Sequence, residues 1–369
     1  MPNFVDKLVL RVREKADELG QTFRSDAVAG EEALCRLVEQ HWCEELPRGG
    51  VVDRPAFAVD GSIGRVNLAN GAYLFVAQAL FIGDRASRQP SARSSQSFEE
   101  SKVEVEILRG SIPKPTVRRF ADLLLQWLEV GLASEQVDRV PSGSILFLDG
   151  ALYGQLPQLY PLTIEGTPYS FPEDILQAYL YLFRRCQERG IYLISVAKTS
   201  REALLSRILQ MKEGLHPILD IPDSEMLYRW TRGRAGYSTP LLLGTWGFTG
   251  GSQELLRREE VRNAPAIVSF FVRLSDFDDP VRVDLPAFCV GSDKRLGEVD
   301  GELLEHQAVS QIVQMLAGDY GGLEVYNSLL YSVDREVRLR RKTMKEVYLK
   351  LIGNALGYDI KLARDERRF

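Results

Sequence analysis

The chain has 369 residues and carries 46 Lys and Arg against 51 Asp and Glu, a formal net charge of −5. With 45% hydrophobic and 26% charged residues it has an ordinary globular composition, which excludes overall disorder, a collagen-like repeat and a basic nucleic-acid coat protein. No apolar run approaches the roughly 20 residues of a membrane helix, and the charged opening MPNFVDKLVLRVREKADELG is not a signal peptide, so a cytoplasmic protein with no membrane partner is expected.

In chain order, Val5, Leu8, Val12, Leu19 and Phe23 recur at helical spacing, and a second helical pattern covers 31–45. Residues 1–50 therefore read as an N-terminal helical segment, and 51–369 as the main domain. After Pro47, Gly49 and Gly50 comes a short apolar strand, FAVD at 57–60, which the pattern ends at Asp60-Gly61-Ser62. A long strand follows over 72–82. The serine-rich stretch 84–100, with Arg85, Arg88 and Arg93, reads as a mobile loop. VEVEIL at 103–108 alternates as a strand with one wet face, on which Glu104 and Glu106 are expected to point at solvent.

Past Pro113 and Pro115, Val117, Ala121, Leu124, Leu125 and Leu128 make a helical stripe, and ILFLDG at 145–150 is a buried strand. A helix over 172–189 leads to the strand IYLISVAK at 191–198. Helical patterns follow near 201–214 and 223–232, then an antiparallel pair at 266–274 and 281–285. Helices over 303–317 and 327–355 close the chain.

Four cysteines without C-x-x-C spacing and only three histidines leave no zinc site, so carboxylates are the abundant chemical groups. Two apolar strands each end in Asp-Gly and a small residue, at Asp60-Gly61-Ser62 and Asp149-Gly150-Ala151. Either one alone is an ordinary turn. If the first and fourth strands are parallel neighbours, both aspartates emerge at one edge of the sheet, where a shared divalent cation would relieve their repulsion. Oxygen-only ligands suit Mg²⁺ or Mn²⁺. Lys198 ends an apolar strand and could hold a phosphate or an attacking water, or could lie in solvent. Arg335, Arg338, Arg340, Arg341 and Lys342, offset by Glu336, make a net +4 over 335–342, a candidate strand-guiding helix. Tyr326, Tyr331 and Trp230 are candidates for base stacking or for core packing.

The motifs AVDGS at 58–62, LDGAL at 148–152, VAKTSR at 196–201 and YSVDREVRLRRK at 331–342, in this order over about 50–345, resemble those of NurA-domain nucleases. The resemblance implies an α/β fold, a ribonuclease H-like mixed sheet flanked by helices, here with extra N-terminal and C-terminal helices. It implies a homodimer that works with a hexameric HerA-type ATPase, and a two-metal deoxyribonuclease with 5′-to-3′ exonuclease and single-strand endonuclease activity. DNA end processing, repair or defence would be its setting. Carried over, Asp60 would bridge two metals and Asp149 would be the aspartate of the fourth strand. The third carboxylate falls on the preceding helix, where Asp122 is favoured and Glu129 is the runner-up seven residues on. Asp334 stands where the family often has a further ligand, although it could equally pair with Arg338.

Two other readings remain. One is a catalytically weak docking or DNA-clamp subunit of the ATPase complex. The other is an actin-like or sugar-kinase-like phosphotransferase, for which GTWGFTGGS at 244–252 is the sole phosphate-loop candidate.

Overall fold

The structure is a computed structural model, described here over residues 4–17, 31–47, 54–84, 97–198, 202–216, 218–323, 325–364 and 366. Of the loop expected over 84–100, residue 84 and residues 97–100 are strand instead, paired in the sheet; the rest, with Arg85, Arg88 and Arg93, falls outside these residues, as do the apolar positions Leu19 and Phe23. The chain begins with helices α1 (Phe4–Glu14) and α2 (Glu31–His41) and the short strand β1 (Trp42–Cys43). Three long strands follow: β2 (Ala56–Asn67), β3 (Tyr73–Asp84) and β4 (Ser97–Leu108). Next come helix α3 (Lys114–Gln136), strand β5 (Ile145–Asp149), the short helix α4 (Leu152–Gln155) and the hairpin β6 (Leu162–Ile164) and β7 (Thr167–Tyr169). Helix α5 (Phe171–Arg189) leads to strand β8 (Tyr192–Ala197) and helices α6 (Leu204–Lys212) and α7 (Asp223–Trp230). The remaining strands are β9 (Gly236–Ser238), β10 (Leu241–Leu243), β11 (Ile267–Arg273), β12 (Val281–Pro286) and β13 (Glu302–Leu303). Helices α8 (Ser310–Asp319) and α9 (Ser328–Val337) precede a C-terminal helical run over 341–356.

β2, β3 and β4 form an antiparallel meander, β5 lies parallel to β2, and β8 lies parallel to β5. This order, β4-β3-β2-β5-β8, is the ribonuclease H-like arrangement. The sheet continues antiparallel through β12 and β11 to β9 and β1.

Helices cover both faces, so the central strands alternate between two cores rather than between core and water. Leu146 and Leu148 of β5 pack on the α3 and α5 side, with Val117, Leu124, Leu128 and Ile175. Ile145 and Phe147 pack on the other, with Ile312, Leu316, Leu330 and Val333 of α8 and α9. Residues of the N-terminal segment join the same body: Leu34, Leu37 and Val38 of α2 enter the first core, and Trp42 pairs with Ser238.

Three expectations are corrected. β2 does not end at Asp60-Gly61-Ser62 but runs straight through it, because β3 pairs with it along its whole length. On β4, Glu104 and Glu106 are half-buried on the α3 side, beside the Lys102–Glu135 ion pair, while Val103, Val105 and Ile107 face solvent. Register decides this: Glu104 and Glu106 stand opposite Ala77 and Phe75, which belong to the core under α3. The last helix is also interrupted. α9 stops at Val337, and Leu339 lies buried in an extended link whose N–H donates to Ser62 Oγ at 2.8 Å.

Phe120 of α3 is fully buried, with ring centroids 5.2 Å from Phe75, 5.2 Å from Tyr169 and 5.6 Å from Phe171. It joins the helix to the sheet and to the β6–β7 hairpin. Phe120→Ala is expected to cost about 3–5 kcal/mol in chemical denaturation, and a loss below about 1 kcal/mol would refute that packing role.

Candidate active site

The last paired residues of β2 and β5 are Val59 and Leu148, so Asp60 and Asp149 come next on adjacent parallel strands. Beyond them β5 stops and β2 continues, which opens a notch in the sheet edge. Asp60 is 5% exposed; its Oδ1 accepts the Gly61 N–H at 2.7 Å, and its Oδ2 is buried with no hydrogen-bond partner among the described residues. Burial, reinforced by the charge of Asp149, pushes the Asp60 carboxyl up to about 7. Asp149 is raised too, chiefly by burial; Lys198 offsets part of this and Asp334 adds to it.

Glu129 is the third carboxylate at the notch. Burial and then repulsion from Asp60 and Asp149 raise it well above the usual range, while the Gly61 N–H favours its charged form. Gly61 has to be a glycine for this approach: a Cβ there would stand 2.6 Å from Glu129 Oε1 and 2.7 Å from Leu125 Cδ1. Asp122, the favoured position, is not brought to the site. Its side chain is 72% exposed, with Arg118 Nε 3.9 Å away. Seven residues put the two acids on roughly one helix face, but about 10 Å apart along the axis.

Asp334 projects from α9, whose first turn is capped by the Asn327 side chain accepting the Leu330 N–H at 2.8 Å. Its charge is felt by both Asp60 and Asp149. Lys198 lies just past the end of β8, with Nζ 3.6 Å from Asp149 Oδ2 and 5.2 Å from the Tyr326 ring centroid. Tyr326 is a site residue that the stacking reading underrated, since its hydroxyl lies 3.4 Å from Asp149 Oδ1. Of the other two aromatics, Trp230 is core and Tyr331 is exposed.

The basic run is split between the end of α9, the extended link and the final helical run. Arg335, Arg338 and Arg340 are exposed, whereas Arg341 pairs with Glu366 and Lys342 with Glu346. The link is pinned to β2 two residues beyond Asp60, by the Leu339 N–H to Ser62 bond. The 244–252 segment serves as packing: the Gly247 N–H donates to Tyr153 Oη at 2.6 Å, and that hydroxyl donates to Gly244 O at 2.8 Å.

Residues 54–333 match the NurA domain family model. The chain belongs to the NurA domain family. Its structure is similar to that of the NurA nuclease from Sulfolobus solfataricus, at TM-score 0.57 and 14% identity, over 97% of this chain and 98% of that one. A NurA structure with manganese matches at TM-score 0.54 and 11% identity, over 95% and 98% of the two chains. A NurA structure bound to dAMP and manganese matches at TM-score 0.52 and 12% identity, over 99% and 98%. No curated protein matches the chain in sequence. No helix among the described residues is long and apolar enough to cross a membrane.

As placed, no three Asp, Glu, His or Cys side chains among the described residues stand close enough to hold one ion. The donor chemistry nevertheless fits a hard divalent cation: all the acids are oxygen donors, and the buried Asp60 Oδ2 lacks a partner among the described residues. Without a cation, the folded protein binds a proton on Asp60 that the unfolded chain releases above about pH 4. Stability of the metal-free protein should therefore fall as pH rises from about 4 to about 7. In chelator, Asp60→Asn is expected to be more stable than the parent at pH 8 by a few kcal/mol, an advantage lost by about pH 4. Urea denaturation at the two pH values measures this, and a difference independent of pH would refute the burial argument.

Proposed function

We propose that this NurA-family protein is a divalent-metal-dependent deoxyribonuclease whose site is the notch between β2 and β5. The observation that carries this reading is the convergence of Asp60, Glu129 and Asp149, with Asp334 beside them, around a buried carboxylate oxygen that no group among the described residues satisfies. Asp60, Asp149 and Glu129 would hold the metal, with Asp334 as a further ligand. The NurA relatives with manganese, and with dAMP and manganese, support Mn²⁺ or Mg²⁺ as the ion and DNA as the substrate. When bound, such ions neutralise the scissile phosphate and lower the pKa of the attacking water.

The chain's own groups divide the remaining work. Lys198 keeps its ammonium beside Asp149 and offers a fixed cation to the phosphate. Tyr326 closes the far side of Asp149 and orients that carboxylate through its hydroxyl. Arg335, Arg338 and Arg340, next to β2, draw the strand by its phosphates. Family membership supports the finer reading: 5′-to-3′ exonuclease and single-strand endonuclease activity, a cytoplasmic homodimer, and action with a HerA-type ATPase in DNA end processing, repair or defence. The apolar side of α1, with Phe4, Val5, Leu8 and Val12 all exposed, is a candidate dimer surface.

A docking or clamp subunit is the second reading, favoured by the lack of a preformed three-ligand cage among the described residues. Calorimetric titration with Mn²⁺ separates the two, since a clamp binds none.

On labelled single-stranded DNA in Mn²⁺, Asp60→Ala and Glu129→Gln are each expected to lose at least ~100-fold in rate, while Asp122→Asn keeps the parental rate. Parental digestion by Asp60→Ala would sink the proposal. Replacing Arg338 and Arg340 together by alanine should weaken DNA binding and lower the slope of log K against log salt by about 1–2. An unchanged slope would remove these arginines from the DNA path.

A further inference from the structure

Resting on that reading of the site, we propose that Gln155 is a further catalytic residue, whose side-chain amide donates a hydrogen bond to a non-bridging oxygen of the scissile phosphate. Gln155 closes α4, the single turn that follows Asp149-Gly150-Ala151, and its backbone N–H donates to Ala151 O at 3.2 Å. That turn folds the chain back and returns the side chain to Gly150. A Cβ at Gly150 would stand 3.1 Å from Gln155 Nε2, and apart from the chain neighbours of Gly150 no other described atom comes within 4 Å of that point. The amide nitrogen therefore faces open space beside the residue that follows Asp149. A φ of +97° at Gly150 disfavours any larger residue there, so the space stays open.

The amide is held from behind. Gln155 Oε1 accepts the Tyr179 hydroxyl at 2.5 Å and Gln126 Nε2 at 3.1 Å, and those two residues are 1% and 7% exposed. Burial raises the Tyr179 hydroxyl above its ordinary pKa, so it keeps its proton and remains a donor. With both partners on the oxygen, Nε2 donates to no group among the described residues. Turning the amide over would put its oxygen beside Gly150 and set its nitrogen against the Gln126 nitrogen. The network also borders Glu129. Gln126 stands one turn before Glu129 on α3, and the Glu129 charge reaches the Tyr179 hydroxyl.

Such a donor answers a need of the reaction. Lys198 and Tyr326 stand beside Asp149, whereas no Lys or Arg among the described residues offsets the charge of Glu129. In hydrolysis the water oxygen bonds to phosphorus while the bond to the leaving oxygen breaks with its electron pair. One water proton passes through solvent to the leaving oxygen, and meanwhile charge spreads over the non-bridging oxygens. A neutral donor aimed at one of them stabilises that charge without repelling a bound cation. Because the two buried partners already lock the amide, little reorganisation is left for the moment of reaction.

The test uses full-length protein. Gln155→Leu, similar in volume but without the donor, is expected to lose ~100-fold in kcat on single-stranded DNA in Mn²⁺, while its Mn²⁺ affinity by calorimetry stays parental. Tyr179→Phe frees the amide to turn and should lose ~10-fold. Contact with the phosphate is read from substrates carrying one phosphorothioate at the cleaved position. Sulfur accepts a hydrogen bond poorly, so for one of the two diastereomers the slowing seen with the parent should shrink ~10-fold or more in Gln155→Leu. Unchanged slowing for both diastereomers refutes the contact, and so does a ~10-fold loss of Mn²⁺ affinity, which would mean that Gln155 acts through a ligand. Gln155→Asn draws the amide back by one methylene and is read in the same way should the leucine variant fail to fold. Asp60→Asn run alongside tests the underlying site. If it is inactive while Gln155→Leu keeps the parental kcat, the role of the amide is refuted and the nuclease site stands. If Asp60→Asn digests DNA and binds Mn²⁺ like the parent, the site reading itself falls, and the role of Gln155 with it.

Discussion

Two like charges in a dry place govern this structure. The parallel pairing of β2 with β5 brings Asp60 and Asp149 out side by side, and the helices on both faces keep water from at least one of them. Burial is the main reason that both carboxyls lie above their ordinary range; the charge of Asp149 adds to it at Asp60, and that of Asp334 at Asp149. Folding alone does not relieve the strain: Lys198 and the Tyr326 hydroxyl serve Asp149, and Gly61 supplies one N–H, but Asp60 Oδ2 has no partner among the described residues. A chain otherwise consistent from pattern to packing tolerates such an exception where a ligand or a reaction requires it.

The surrounding architecture keeps these groups in place. The meander β2-β3-β4 gives β2 a partner along its entire length, so the strand continues past the point where β5 ends and the notch has a rigid wall. α3 crosses close enough to deliver Glu129 because residue 61 has no side chain. α9 closes the opposite face, and its link to the C-terminal run is fastened to Ser62. Core contacts thus set the site from three directions, which suits chemistry that depends on fixed positions rather than on adaptable loops.

Much of this could be read from residue patterns. The apolar runs at 72–82, 145–150 and 191–198 and the stripe starting at Val117 give strands and a helix close to their true bounds, because both periodicity and the Pro and Gly breaks are strong there. The alternation at 103–108 is equally regular, yet it misleads about direction. Periodicity tells that two faces differ, while the partner strand decides which face meets the core. The choice between Asp122 and Glu129 was not open to a length argument: β5 has five residues and spans about 17 Å, while Glu129 lies about 10 Å and Asp122 about 21 Å from the helix end at Gln136, so neither distance singles out one acid, and it is the close approach of α3 at Gly61 that selects Glu129.

Composition and motif order by themselves determined the class of chain, its layered α/β design, and the acids at the ends of two apolar strands, since these follow from local chemistry. Only the tertiary structure decided which third acid joins them, that Tyr326 and Lys198 flank Asp149, and that the basic run is broken at Leu339. Each of these depends on register and on crossing distances between segments far apart in the chain, and a one-residue slip or a few ångströms along a helix axis reverses them without altering any local pattern.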